Sequence, residues 1–236
     1  MLDDPKYIQQ FDRSDLLAVV ASEGEQLRQQ YQFDVPEVEG LNKIVLAGMG
    51  GSAIAAEFIR HWLGDRLPVP IEIVRDYTLP NYVDDHSLVV VSSYSGNTEE
   101  TLACFEEAKT TGAGIIIMTA GGKLAEQADA FPVISIPGGI QPRMAVFYGV
   151  KALATLLEEL GLVEGIVDDL ETNAEWVLHE ASYFISNVAE ADNPAKQIAK
   201  KVVGHPIIMY GGPTLAMPAV KWKIDFNENA KNQAFV

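Results

Sequence analysis

The sequence predicts a doubly wound α/β protein built on a parallel five-stranded sheet. Short apolar runs rich in Ile and Val recur near 43–47, 71–74, 88–92, 114–118 and 132–136. Helical patterns separate them near 52–63, 97–111 and 122–129. Strands rich in Ile and Val with continuous apolar runs are those of a parallel sheet covered by helices on both faces. The right-handed crossover rule then distributes the helices over the two faces of one sheet.

Met1 to Phe33 reads as helix, with Leu16, Leu17, Val20 and Leu27 at helical spacing and Ser14 or Asp12 as its cap. It packs on the first domain or on a partner subunit; both readings stay open. The first strand, Ile44-Val45-Leu46-Ala47, feeds Gly48-Met49-Gly50-Gly51-Ser52 and then a helix to Leu63. Taken alone this is a G-x-G-x-x-A nucleotide fingerprint. The next strand, Ile71–Val74, leads to Asp76, at the place where a dinucleotide fold holds its ribose-binding acid.

The run Leu88–Val91 feeds Ser92-Ser93-Tyr94-Ser95-Gly96-Asn97-Thr98, and a helical pattern follows from Glu99 to Lys109. Small residues at 92, 93, 95 and 96 let a ligand approach the backbone. Asn97 or Thr98 can cap the helix, whose N-terminus favours negative charge. Three serines, an asparagine and a threonine, with no carboxylate, give Ser93, Ser95 and Thr98 as donors for a phosphate, whose oxygens only accept. The plainer reading is a polar loop with a good cap. Parallel strands put this turn and the glycine loop at the carboxyl edge of one sheet. There Gly50, Gly51 and Ser52 join the same anion site.

Thr119-Ala120-Gly121-Gly122-Lys123 is a third such loop, read first as a tight turn, with Lys123 facing solvent or the site. The fourth is Pro137-Gly138-Gly139-Ile140-Gln141-Pro142-Arg143. Pro142 suits a first helical turn. Arg143 then starts a helix, where its charge opposes the dipole by roughly 0.3–1 kcal/mol. An acidic neighbour or a bound anion offsets that, so a salt bridge and a functional arginine both remain open. Met144 to Leu160 is an apolar helix for the sheet or a subunit interface, with Gly161 as C-cap.

The acidic stretch Glu164–Glu171 marks a shift in composition, and the domain boundary is placed there: residues 1–163, then 164–236. The second segment reads as helices Asp168–Glu190 and Pro194–Lys201, a strand Pro206–Tyr210, a Gly211-Gly212 turn and a helix Leu215–Ala230. It repeats the opening of the first domain. A one-strand domain cannot bury its faces, so the chain is expected to stop inside its second domain.

Strand-GMGGSA-helix followed by strand-SYSGNT-helix resembles the sugar isomerase (SIS) domain. The order GMGGSA, SYSGNT, GGKL, PGG-x-x-PR and NENAK is similar to the bifunctional phosphoglucose/phosphomannose isomerases, from about Leu41 to the last residue. The resemblance implies interconversion of glucose 6-phosphate and mannose 6-phosphate with fructose 6-phosphate through an enediolate. It gives the serine/threonine turn and the GMGGS loop the roles already read from the residues. It implies Arg143 as the group that stabilises the enediolate and Glu228, in Asn227-Glu228-Asn229, as the base. By its residue type alone Glu228 is an ordinary helix-end acid, and Lys221, Lys223 and Lys231 are read as solvated. The resemblance also implies a homodimer and no cofactor. It calls for a ring-opening histidine just after the glutamate and a lysine further on, and neither matches a residue here. The chain is therefore expected to bind phosphosugar weakly without turning it over.

A formal charge of −16 and a pI near 4.5 argue against nucleic acid or an anionic membrane as partner. They also repel anions at long range, so a phosphate site must work through short-range donors. A lone cysteine, Cys104, excludes an internal disulfide and is read as a small buried hydrophobe. His61, His86, His179 and His205 lack metal-ligand spacing, so no metal is expected. No run reaches transmembrane length and the N-terminus is acidic, so a cytoplasmic location is the default. Two other functions are weighed: a phosphosugar-binding sensor module without catalysis, and a nucleotide-dependent oxidoreductase on the glycine fingerprint.

Overall fold

A computed structural model describes the whole chain, Met1–Val236. Its backbone contacts divide it into two compact units, Gln26–Thr172 and Met1–Glu25 together with Asn173–Val236. The unit boundary thus falls later than the composition shift at 163/164. The first 25 residues belong with the C-terminal segment rather than with the sheet.

Unit Gln26–Thr172 holds strands β1 (Lys43–Gly48), β2 (Ile71–Val74), β3 (Ser87–Ser93), β4 (Gly114–Thr119) and β5 (Val133–Ser135). They form one parallel sheet in the order β2-β1-β3-β4-β5. The five apolar runs fell on these five strands because Ile and Val, stiff at χ1, fit a pleated surface; the inner strands β1, β3 and β4 are buried on both sides, the edge strands β2 and β5 only in part. Val45, Val89, Val91, Ile115 and Ile117 pack one face against Cys104, Phe105 and Ala108 of the helix Glu99–Ala108. The Cys104 thiol is fully buried and is pushed up to about 11, chiefly by desolvation, with Glu107 and Asp76 adding to it. It behaves as the small hydrophobe expected.

On the other face the helix Gly50–Leu63 packs on the sheet and on the helix Val146–Glu159. Gly149 makes that approach possible: a Cβ there would lie 2.8 Å from Ala55 Cβ. Gly161 closes the second helix as expected. It sits at φ 66°, donates to Glu158 O, and Leu162 donates back to Leu157 O, a Schellman turn. Lys151, fully buried, donates 2.7 Å to Glu171 Oε1, and this bond holds the Glu171 carboxyl below its usual range.

The other unit departs further from the sequence reading. The single helix over Met1–Phe33 is broken into Pro5–Phe11, Leu16–Ala21 and Glu23–Gln26, with no helix or strand from residue 27 to 42. Asp15 adopts φ 51°, which no helix interior tolerates, while Asp12 accepts from Leu16 N at 2.6 Å and Leu17 N at 2.9 Å. Asp12 is therefore the cap, but of a new helix. The helix expected to reach Glu190 runs Ile166–Ala181, and the next is Pro194–Val202, capped by Asn193. The expected strand 206–210 shrinks to Ile207–Ile208, which pairs in parallel with Ala234–Phe235 across the helix Ala216–Glu228. The segment thus has two short strands, not one. Buried Lys196 gathers this unit: Nζ donates to Asp3 Oδ1 at 2.8 Å and to Ser186 O and Val188 O, each at 2.7 Å.

No helix is long and apolar enough to cross a membrane.

Candidate functional site

The sheet order places its topological switch between β1 and β3, where neighbouring connections leave in opposite directions and open a crevice at the carboxyl edge. Gly48 of β1 pairs with Ser92 of β3, so the glycine loop and the serine turn start side by side. A Cβ on Gly48 would lie 2.8 Å from Ser92 O.

In the serine turn, Ser93 is buried and its Oγ lies 2.8 Å from Thr98 Oγ1 and 3.5 Å from Ser95 Oγ. Gly96 N donates to the same Ser93 Oγ at 3.1 Å. Asn97 N donates to Ser95 Oγ at 3.2 Å. The structure therefore brings the three predicted donors, Ser93, Ser95 and Thr98, into one cluster, with Ser95 at its exposed rim. Thr98 stands at the N-cap of Glu99–Ala108, but its side chain makes no cap bond. The cap expected from Asn97 or Thr98 is absent because both side chains are engaged elsewhere. Thr98 faces Ser93, and Asn97 Oδ1 accepts from Lys123 N of the third loop at 3.2 Å. The first-turn N–H groups of that helix keep their dipole at the cluster. Glu99 and Glu100 share this turn; the Glu100 carboxylate acts on Tyr77, whose phenol it raises above its usual range.

Backbone fits against backbone here. Gly96 sits at φ 67°, and a Cβ on it would lie 1.8 Å from Gly121 O; one on Gly122 would lie 2.3 Å from Ser95 O. Gly121-Gly122 is thus the tight turn of the structural reading.

In the glycine loop, Gly50 is exposed, Gly51 and Ser52 half-buried. Ser52 Oγ accepts from Tyr94 N at 3.1 Å, which ties this loop to the serine turn. Gly51 lies against the fourth loop: a Cβ on it would be 2.9 Å from Pro142 O and 3.2 Å from Arg143 N. Arg143 does not start the long helix. It occupies a separate 3-10 turn, Pro142–Met144, ahead of Val146–Glu159. Arg143 is thus not a first-turn residue of that helix, the position at which the opposition to its dipole was expected. Arg143 is half-buried.

Glu228 belongs to the other unit, exposed at the C-terminal end of Ala216–Glu228. Its neighbour Asn227 Oδ1 accepts from Ala234 N at 2.8 Å, fixing the helix end to the short strand pair. Lys221 is not simply solvated: Nζ lies 2.7 Å from Asp225 Oδ1 and Oδ2, with its side chain 17% exposed.

Two residues of the serine turn do work that the sequence reading did not give them. Asn97 braces the third loop. Tyr94 donates through its phenol to Pro137 O at 3.1 Å and accepts from Ile140 N at 3.3 Å, while its carbonyl accepts from Ala120 N at 3.1 Å. Both partners of the phenol lie more than forty positions away, and no local pattern encodes such a contact. Asp76 accepts from its own neighbour, Tyr77 N, at 2.7 Å.

Comparison with known proteins places this geometry. Residues 39–156 match the SIS domain, and residues 191–236 match the bacterial phospho-glucose isomerase C-terminal SIS domain. A bifunctional phosphoglucose/phosphomannose isomerase of Caldicellulosiruptor bescii is 41% identical over 202 residues, 84% of this chain and 60% of the relative. A D-glucosamine-6-phosphate 4-epimerase of Sulfolobus acidocaldarius is 35% identical over 209 residues, 86% of this chain and 62% of that one. The chain thus spans about three fifths of the length of these relatives. Among solved structures, tagatose-6-phosphate ketose/aldose isomerase from Escherichia coli superposes with a TM-score of 0.63 at 17% identity, over 97% of this chain and 62% of that one. At that identity the likeness is one of fold.

Proposed function

The chain belongs to the SIS domain family, and from that premise we propose that it serves a phosphosugar aldose–ketose isomerase, interconverting glucose 6-phosphate and mannose 6-phosphate with fructose 6-phosphate. The observation that carries this reading is the hydroxyl cluster Ser93–Ser95–Thr98 at a helix start beside the glycine loop. It offers donors to a phosphate in a protein whose net charge is against anions. Similarity to the bifunctional isomerases supports the choice of sugars.

In this proposal Ser93, Ser95 and Thr98 hold the phosphate, and Gly50, Gly51 and Ser52 line the sugar side of the crevice. Glu228 takes the proton from C2 of the open-chain aldose and returns it to C1. Arg143 faces the enediolate oxygen, where a cation in a water-poor cleft stabilises developing charge most. C2 is planar in the enediolate, so return of the proton to either face at C2 yields glucose or mannose configuration. One base serves both sugars when the enediolate turns to present either face of C2 to it. We assign residues 164–236 to the opening of a second SIS domain, in line with the match at 191–236, and propose a homodimer working in the cytoplasm.

The test is calorimetric titration with fructose 6-phosphate in phosphate-free buffer, together with an isomerase assay of the full-length protein. Binding that Ser93→Ala weakens, and turnover that Glu228→Gln removes, are the expected results. Binding indifferent to Ser93→Ala sinks the phosphate assignment. Turnover indifferent to Glu228→Gln sinks the base, and sugar-responsive output without turnover favours a sensor module. A product epimeric at C4 would move the activity to the epimerase-like relatives.

A further inference from the structure

We propose that Tyr94 is a positioning residue that ties the carboxyl-edge loops together and, through its phenol, holds the turn carrying Arg143. Its atoms reach the other three loops. Its N–H donates to Ser52 Oγ at 3.1 Å in the glycine loop, and its carbonyl accepts from Ala120 N at 3.1 Å in the third loop. Its phenol donates to Pro137 O at 3.1 Å and accepts from Ile140 N at 3.3 Å in the fourth. The backbone bonds are open to any residue but proline at this position; the phenol bonds need tyrosine.

The fourth loop depends on such a tether. It contains Gly138 and Gly139, the latter at φ 94°, so its backbone has little stiffness of its own. The pinned Ile140 leads directly into the turn, where Met144 N donates to Gln141 O at 2.8 Å and Ala145 N to Pro142 O at 3.1 Å. The far side of that turn rests on Gly51, with room for no Cβ between them. The Arg143 backbone is therefore wedged between the glycine loop and the segment the phenol holds. Tyr94 also lines, with Gly51, Ser52, Met118 and Pro142, a small cavity where these parts meet. Tyr94 touches no reacting atom in this account. It acts through the placement of Arg143, and its kinetic consequence rests on the isomerase reading above.

The test uses Tyr94→Phe, which keeps the ring and removes the oxygen. Hydrogen exchange of this chain reads the tether directly: the Ile140 amide should exchange about tenfold faster in the variant, with fructose 6-phosphate affinity within about twofold of wild type. In the full-length protein kcat should fall about tenfold with KM within about twofold, and Tyr94→Phe added to Arg143→Ala should cost nothing more than Arg143→Ala alone. Unchanged exchange at Ile140 overturns the proposal. So does a double variant in which the two losses multiply, because the tyrosine would then act independently of the arginine. Should the wild type lack isomerase activity, the isomerase reading fails by itself, and the exchange result still decides for or against the tether.

Discussion

The loops after β1 and β3 look alike as sequence: each is a run of small residues with hydroxyls between an apolar strand and a helix. In the structure they do different work. The serine turn is cross-braced, with Ser93 Oγ reaching Thr98 and Gly96 N, and Gly96 pressed on Gly121 O. The glycine loop enters its helix at Gly50, which faces open space, with no side-chain cap, and its one hydroxyl steadies Tyr94. One loop presents donors; the other holds the presenter in place. Hydroxyl density in a sequence does not say which neighbour each hydroxyl braces, whereas distances do.

The comparison is broken most forcefully at Gly96. An alanine there adds αL strain of roughly 1–2 kcal/mol. Its Cβ also overlaps Gly121 O at 1.8 Å, a backbone atom with no rotamer to yield. We expect a stability loss on the order of 3 kcal/mol or more and no measurable fructose 6-phosphate binding. A variant that melts and binds like wild type would show that the serine turn is not built as a rigid cradle. Ser93→Ala comes next. It removes one acceptor of Gly96 N and the partner of Thr98, costing about 1–2 kcal/mol. Affinity for fructose 6-phosphate should fall about tenfold by calorimetry if the hydroxyl donates to phosphate, since a bond to a charged group is worth about 1.5–3 kcal/mol.

How far these differences could be read from the chain follows from the range of the contacts. The five strands were visible because each centres on a short stretch rich in Ile, Val or Leu, and their carboxyl-edge loops followed from the parallel order. The N-terminal break was not visible: Leu16, Leu17 and Val20 keep helical spacing because all three fall in the one helix Leu16–Ala21, and nothing in that spacing reports the left-handed backbone of Asp15 just before it. That Ser93, Ser95 and Thr98 bring their hydroxyls together could be read from residue type and local spacing. The use of Asn97 to cap the third loop, the two bonds of the Tyr94 phenol and the separate turn of Arg143 could not, because each depends on which distant backbone arrives. Glu228 lies at a helix end in another unit, where only family likeness singles it out.

Ser52→Ala sharpens the contrast at a lower level. It removes the acceptor of Tyr94 N, a cost of about 1 kcal/mol, and loosens the serine turn from its neighbour. The affinity loss should be smaller than that of Ser93→Ala, about threefold, because the donors of the cluster remain. A loss exceeding that of Ser93→Ala would exchange the roles of the two loops and make Ser52 the principal phosphate contact.

The smallest effect on the fold is expected at Gly50, and it isolates backbone strain from packing. Gly50 sits at φ 50°, so alanine meets the same left-handed penalty as at Gly96. Yet a Cβ at Gly50 would have nothing within 4 Å, against 1.8 Å at Gly96. The cost should therefore be the strain alone, about 1 kcal/mol, or a fall in Tm of roughly 2–4 °C for a chain of this size by calorimetry. Two glycines with like backbone angles then differ only in what surrounds them. A Gly50→Ala protein as unstable as Gly96→Ala would mean that strain dominates at both sites and that the close backbone approach in the serine turn adds little. A loss several-fold smaller would assign the difference to the contact between Gly96 and Gly121, and so to the bracing that sets the two loops apart.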